Sequence, residues 1–212
     1  MENKKIENTK FTMESPTITQ DKFLRATSKF IAFGGAKGGG KIWAARSKAI
    51  LMGLNYPGIT ICFVGKSSRL FEEEIALLAE KTLNGLAKYD YRRQRLEFKN
   101  GSTIVFRKCA SGQTDSLAGC EFDVIFILRA DIYNEVDLTD ITWMCRGNNE
   151  FPKRVYYIFD FLCGYIYDVF FIGLYRENTK PEDYTLLPMI VGEGGMKRAD
   201  VPSGNVIEIY GA

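Results

Sequence analysis

Four apolar segments of strand length recur along the chain and form the framework of the predicted fold. They span residues 30–33, 59–64, 124–128 and 154–159, and are rich in β-branched and aromatic side chains. Continuous apolar runs are typical of strands that are buried on both faces of a parallel sheet. The pattern therefore predicts four central strands.

Helical spacing of apolar residues fills the intervals between these strands. One helix is predicted from residue 43 to about 54, where the breaker cluster Asn55-Tyr56-Pro57-Gly58 ends it. Helices are also predicted over 69–86, which has three glutamates in its first turn, and over 138–144. Buried strands that alternate with helices predict an α/β fold with a mostly parallel sheet.

A hairpin is the one antiparallel feature in the pattern. Residues 95–98 and 103–106 alternate between apolar and polar on the two sides of Asn100-Gly101. Asn-Gly between alternating segments is the strongest short-range hairpin signal, because both positions accept a positive φ. We expect this hairpin to be an insertion in the parallel sheet.

The first 21 residues lack any periodicity. They are polar, rich in Lys, Asn, Thr and Glu, and predict a flexible arm, with residues 22–212 forming one domain. Acidic residues interleaved in the arm favour a solvated tail over a basic segment that contacts nucleic acid. No apolar run of signal-peptide length follows Met1, so we expect no secretion signal.

A glycine-rich turn, Gly34-Gly35-Ala36-Lys37-Gly38-Gly39-Gly40-Lys41-Ile42, joins the first strand to its helix. The part from Gly35 to Lys41 matches G-x-x-x-x-G-K, in which inward-facing backbone N–H groups and a lysine hold phosphates. A mere flexible turn is the alternative interpretation. The predicted nucleotide-binding residues are Gly35, Ala36, Lys37, Gly38, Gly39, Gly40, Lys41 and Ile42.

The same motif lacks its metal ligand. A loop that binds Mg²⁺ has a Ser or Thr hydroxyl after the lysine, and this chain has Ile42. The motif is therefore well formed for phosphate and altered for metal, and we predict no metal site.

Composition narrows the chemistry further. The chain has 212 residues, 46% hydrophobic and 25% charged, which is ordinary for a globular domain. It has no histidine, which excludes histidine-based triads and histidine-ligated zinc, and its five scattered cysteines predict reduced thiols in a cytoplasmic protein. The net charge of +2 is too small to argue for a nucleic-acid partner.

Residues 30–57, FIAFGGAKGGGKIWAARSKAILMGLNYP, resemble the N-terminal ATPase domain of phage terminase large subunits, the motors that pump DNA into procapsids. The Asn-Gly hairpin and segments 121–127, 146–147, 151–157 and 181–185 continue the resemblance in order, over about residues 25–195. The resemblance implies a three-layer P-loop NTPase fold of the ASCE type. It also implies a nuclease domain after the ATPase, for which this chain is too short.

The departures from the family pattern fall on the chemical positions. By the resemblance, the strand at 124–127 ends in a metal-holding Asp and a water-orienting Glu, the Walker B carboxylates; this chain has Leu128 and Arg129. Residues 159–163, FDFLC, replace a coupling motif similar to Cys-Asn-Pro-Gly-Gly, and Lys37 replaces the family's loop arginine. Since phosphoryl transfer depends on positioned charge and metal, we expect hydrolysis to fall to near background.

Some carboxylates could substitute for the missing ones. Asp131, Asp160 and Asp168 are the candidates, and Asp160 is the best placed because it follows a strand that should adjoin the central one. Solvated loop residues or helix caps are the simpler interpretation of all three. The aromatic stretch 156–175 contains Asp160 and Asp168, which favours a buried strand and helix over a membrane span.

Three functions stay open at this point. The preferred one is a terminase-like P-loop domain without hydrolysis, which requires no cofactor and retains at most ATP or phosphate binding without Mg²⁺. An active packaging motor with substitute carboxylates and a non-enzymatic scaffold are the alternatives. The resemblance implies the portal, the small terminase subunit and double-stranded DNA as partners, no membrane, an open oligomeric state and the host cytoplasm as location.

Overall fold

The computed structural model describes most of the chain from residue 10 to residue 160. The described residues are 10–35, 38–67, 73, 75–77, 79, 81, 83, 85–160, 166, 184–189 and 207–210. The strands are β1 Lys10–Met13, β2 Phe30–Gly35, β3 Thr60–Gly65, β4 Ala87–Asp90, β5 Arg95–Phe98, β6 Thr103–Lys108, β7 Val124–Leu128, β8 Arg154–Ile158, β9 Tyr184–Met189 and β10 Ile207–Tyr210. The helices with described bounds are α1 Ile18–Arg25, α2 Lys41–Asn55 and α3 Glu135–Trp143, with 3-10 turns at Thr114–Leu117 and Ala130–Ile132.

An eight-stranded sheet organises the molecule, in the order β4-β5-β6-β3-β7-β8-β2-β9. Every neighbouring pair from β6 to β9 is parallel, and β4-β5 and β5-β6 are antiparallel. The predicted α/β fold with a mostly parallel sheet and a hairpin insertion is confirmed.

Different helices cover the two faces of the sheet. Successive strand residues point to opposite sides, so each face has its own apolar cluster for a helix to pack on. On one face, α1 and α2 pack over a cluster that includes Phe33, Phe63 and Phe126. On the other face, α3 packs through Leu138 and Ile141 onto a second cluster. The result is three layers, helix, sheet and helix.

An aromatic row crosses the centre of the first face. Phe63, Phe126 and Tyr156 occupy matching register positions on β3, β7 and β8. The ring centroids are 4.6 Å apart between Phe63 and Phe126 and 4.4 Å apart between Phe126 and Tyr156. Such offset stacking adds about 0.5–1.5 kcal/mol per pair beyond area burial, so the row fixes the register of the three central strands.

The predicted hairpin is formed by β5 and β6, with Gly101 at φ 87° in the turn. The Asn100 side chain donates hydrogen bonds to the carbonyls of Gly53 and Leu54, at 2.8 and 3.1 Å. These carbonyls lie at the end of α2, where no helical N–H is left to bond them. The hairpin is thereby tied to the helix of the glycine loop.

The flexible arm predicted for residues 1–21 is wrong for part of its length. Residues 10–13 form β1, which pairs with β10, and α1 begins at Ile18. A capping box starts this helix: Thr17 accepts from the backbone N–H of Gln20, and Gln20 accepts from that of Thr17. The Thr-x-x-Gln signature of a capping box is present in the sequence, but the polar segment around it lacks the apolar spacing that predicts a helix.

Some sequence predictions fall outside the described residues. The helix predicted over 69–86 is helical at its described positions from 73 to 81, but its described residues 83, 85 and 86 form a bend and a turn before β4, so the predicted end is too late. The remaining positions of this helix lie outside the described residues. The aromatic stretch 156–175 is described only to 160 and at Ile166, where Tyr156, Phe159 and Ile166 are buried. In the part of the chain that the structure describes, no helix combines the length and the apolar content needed to cross a membrane.

Candidate functional site

A cavity of about 480 Å³ opens at one edge of the sheet, where three neighbouring parallel strands end. The glycine loop follows β2, Arg129 follows β7, and Phe159 and Asp160 follow β8. Carboxyl ends of parallel strands meet at one edge, which is where α/β folds place their ligands. The cavity is lined by Gly38, Gly39, Gly40, Lys41, Ile42, Trp43, Arg46, Arg129, Ile158, Phe159 and Asp160.

The glycine loop depends on backbone conformations that favour glycine. Gly38 and Gly40 have φ of 80° and 75°, in the left-handed region. Gly40 directly precedes α2, so the loop delivers the chain to the helix N-terminus at the cavity. Unpaired N–H groups in the first turn of a helix give that end a partial positive charge, which suits an anion.

Lys41 points to the strand ends rather than to bulk water. Its side chain is 6% exposed, and its Nζ donates to the carbonyl oxygen of Gly35 at 2.7 Å. The same Nζ lies 3.1 Å from Oδ1 of Asp160. The lysine therefore closes the loop on itself and forms an ion pair with the residue that follows β8.

Arg129 approaches the same carboxylate from the neighbouring strand. Its Nε lies 3.4 Å from Oδ2 of Asp160, and its guanidinium donates to both oxygens of Asp131 at 3.2 and 3.0 Å. The hydrogen bond to Asp131 raises the pKa of Arg129, against the opposing effect of burial. Asp131 also accepts from the backbone N–H of Asp160 at 3.2 Å, so the four side chains form one cluster. We call Lys41, Arg129, Asp131 and Asp160 the charged cluster.

The donor set does not fit a divalent cation. Mg²⁺ requires oxygen ligands in near-octahedral geometry, usually one or two carboxylates with substrate phosphates and water. Both carboxylates of the cluster are already bound to Lys41 or Arg129, and Ile42 has no oxygen in its side chain. Among the described residues, no group of three His, Cys, Asp or Glu side chains is arranged to hold a metal.

The structure brings together most of the residues singled out from the sequence. Residues 38–42 and Arg129 line the cavity, and Asp160 joins them because β8 lies between β7 and β2. Leu128 ends β7 beside Gly65 of β3 and is not part of the lining. Ala36, Lys37 and Asp168 lie outside the described residues.

Gln20 and Arg46 are among the site residues that were not predicted from the sequence. Gln20 of α1 is buried, and its Nε2 lies 3.5 Å from the carbonyl oxygens of Gly39 and Gly40, so α1 buttresses the loop. Arg46 lines the cavity, and burial lowers its pKa. Its spacing four residues after Ile42 places both on one helix face, a signal that was available in the sequence.

No family model matches the sequence, and the comparison with characterised proteins gives no match. Solved structures do match. The large terminase ATPase domain of Thermus phage P74-26 has 18% identity and a TM-score of 0.57, over 82% of this chain and 80% of that one. The large terminase of a thermophilic bacteriophage, in complex with ADP, has 12% identity and a TM-score of 0.61, over 81% and 45%.

The large terminase of bacteriophage HK97 has 12% identity and a TM-score of 0.60, over 86% of this chain and 41% of that one. The chain thus spans less than half the length of the last two proteins. At these identities the match establishes architecture rather than activity. Together with the parallel sheet and the glycine loop between β2 and α2, it shows that this chain has the P-loop NTPase fold of the phage large terminase ATPase domain.

Proposed function

We propose that this chain is a terminase-like P-loop domain that binds a phosphate-bearing ligand, such as ATP, without Mg²⁺ and does not hydrolyse it. One observation carries the proposal: Arg129 lies at the end of β7 and faces Lys41 across the same carboxylate. Two cations beside a helix N-terminus are chemically suited to a phosphoryl group. A cation at this strand end opposes a divalent metal.

The expected loss of hydrolysis follows from what the cavity lacks. Positioned acid–base groups contribute about 10²–10⁴ to rate, and preorganised charge about 10²–10³ per group. In the lining that the structure describes, residue 42 has no side-chain hydroxyl, and the carboxylate of Asp160 is paired with Lys41 and Arg129. Because both of its oxygens already face a cation of the protein, this carboxylate is a poor ligand for a metal ion.

Binding of a nucleotide has support from the size of the site and from the fold. A cavity of about 480 Å³ is within the range of small-ligand pockets. A matched thermophilic phage terminase was solved with ADP and with ATP-γ-S. The half-exposed Trp43 adds an aromatic surface to the lining.

Calorimetric titration of the purified chain with ATP, once with Mg²⁺ and once with EDTA, tests the proposal. We expect ATP to bind in EDTA at least as tightly as in Mg²⁺, and no phosphate release above the uncatalysed rate. Lys41→Ala should abolish binding in both conditions. Lys99→Ala, which removes an exposed lysine of the hairpin turn, is the matched control and should bind as wild type.

Two results would overturn the proposal. Mg²⁺-dependent turnover that is lost in Asp160→Asn would favour the alternative of an active motor with a substitute carboxylate. Absence of any ATP or phosphate binding would favour the scaffold alternative. The portal, the small terminase subunit and double-stranded DNA stay proposed partners on the fold likeness, to be tested by co-sedimentation with each.

A further inference from the structure

We propose that Asp160 is a built-in competitor for the phosphoryl group, so that it sets the affinity of the glycine loop for anions. This inference rests on the proposed function, because it concerns the same cavity. It names the residue that limits binding, a role that neither the loop motif nor the fold assigns to the position after β8.

The geometry of the Asp160 carboxylate resembles that of a bound phosphoryl group. One oxygen lies 3.1 Å from Nζ of Lys41, and the other lies 3.4 Å from Nε of Arg129. A phosphoryl group would use two of its oxygens in the same way. Both cations of the cluster are thus engaged by the protein itself, and an incoming anion must share or displace the carboxylate.

Burial makes this competition matter. The side chains of Lys41 and Asp160 are 6% and 12% exposed, so water and salt screen their interaction only weakly. The backbone N–H of Asp160 donates to Asp131, which anchors the residue while Oδ1 and Oδ2 face the two cations. The carboxylate is therefore held against Lys41 and Arg129 from its own main chain, rather than resting there as a mobile surface group.

The charge of the lining leads to the same conclusion. The described residues that line the cavity include three cationic side chains, Lys41, Arg46 and Arg129, and one carboxylate, Asp160. Removing that carboxylate both frees two donors and raises the positive charge of the site. Repulsion between an incoming anion and the negatively charged Asp160 carboxylate costs several kcal/mol. An anion should therefore bind more tightly once residue 160 is neutral.

Titration with inorganic pyrophosphate in EDTA tests the inference. We expect Asp160→Asn to bind pyrophosphate roughly ten- to a hundredfold more tightly than wild type, the range that a partly screened charge contact gives. Asp90→Asn is the matched control. It makes the same change in net charge on β4, an edge strand that is separated from β8 by four other strands, and should bind as wild type.

The outcomes separate this inference from the proposed function. Tighter binding by Asp160→Asn, but not by Asp90→Asn, supports the competitor role. If Asp160→Asn binds and wild type does not, the proposed binding by the native chain is overturned, and the competitor role of Asp160 is supported. Equal binding by wild type and Asp160→Asn overturns the competitor role and leaves the proposed function intact. Weaker binding by Asp160→Asn overturns it too, since Asp160 would then position Lys41 for the ligand. Asp160→Ser, with a melting curve for each variant, repeats the test if the asparagine variant does not fold.

Discussion

At the scale of single residues, two glycines of the loop region are required for different reasons. Gly38 needs the absence of a side chain for its φ of 80°, and an added Cβ would meet no atom within 4 Å. Gly34 needs it for space, because an added Cβ would lie 1.9 Å from Cε2 of the buried Phe159. The ring of Phe159 therefore packs on the start of the loop, and its bulk is compatible with the loop only because residue 34 is glycine.

Gly34→Ala should destabilise the protein by about 1–3 kcal/mol, because an overpacked core must displace the ring. Phe159→Leu alone should cost about 0.5–1.5 kcal/mol. The double variant should cost less than the sum of the two, since the smaller side chain relieves the clash. Urea unfolding of the four proteins measures this coupling, and strict additivity would show that residues 34 and 159 do not meet.

At the scale of elements, a buried lysine joins two helices. Lys48 of α2 is 4% exposed, and its Nζ donates to the carbonyl oxygens of Phe23, Leu24 and Ala26, at 2.8, 2.9 and 2.7 Å. These carbonyls close the C-terminus of α1, where a cation is favoured. Burial, with a smaller contribution from Arg154, lowers the pKa of Lys48 to about 7. The lysine holds α1 against α2, and α1 in turn supports the loop through Gln20.

The lowered pKa gives a stability effect of defined sign. Between about pH 7 and the ordinary lysine value of 10.5, the unfolded chain binds the proton and the folded chain does not. The contribution of Lys48 to the free energy of unfolding should therefore rise with pH through this window, by at most about 1.4 kcal/mol per pH unit. It should be lowest below pH 7.

Urea unfolding of wild type and Lys48→Met from pH 6 to pH 9 isolates this contribution. The difference between the two unfolding free energies should grow in favour of wild type as the pH rises. The comparison also removes the opposing effect of the thiols, which both proteins share. Burial raises the pKa of Cys145 to about 12, so this thiol lowers the free energy of unfolding only above pH 9.0, where the unfolded chain loses the proton. A difference that stays flat across the range would mean that Lys48 remains charged in the folded state.

At the scale of the whole molecule, the two ends of the parallel strands have different roles. The carboxyl ends hold the charged cluster beside the cavity. At the amino ends lies Asp123, 3% exposed, which accepts from the backbone N–H of Thr60 at 2.8 Å and from Nζ of Lys153 at 2.6 Å. Asp123 thus joins the starts of β3, β7 and β8 without facing any part of the cavity.

Asp123→Ala should therefore lower the free energy of unfolding by about 2–4 kcal/mol, because it leaves the partly buried Lys153 ammonium without its carboxylate. Pyrophosphate binding by the folded variant should be unchanged. Asp160→Asn, by contrast, should change pyrophosphate binding, because Asp160 faces the cations of the cavity. Thermal melts and pyrophosphate titrations of both variants measure the two effects, and a large loss of binding in folded Asp123→Ala would contradict this division.

Local pattern was enough for the central strands, the hairpin at Asn100-Gly101 and the glycine loop before α2. Continuous apolar runs and the Asn-Gly turn encode those elements within a few residues, so no distant contact is needed to recognise them. Other elements were not predicted. α1 lies in a polar segment, and β4 and β9 are identified as strands only by their pairing with β5 and β2.

The sequence by itself determined which side chains lie at the end of the glycine loop and directly after β7. They are those of Lys41, Ile42 and Arg129, and none of the three carries a hydroxyl or a carboxylate. Only the tertiary structure decided what those groups do to one another. Asp160 is 119 residues from Lys41 along the chain, and it meets both cations because β8 is placed between β7 and β2. Strand order is set by the packing of the two helical layers on the sheet, a long-range property that no local pattern contains.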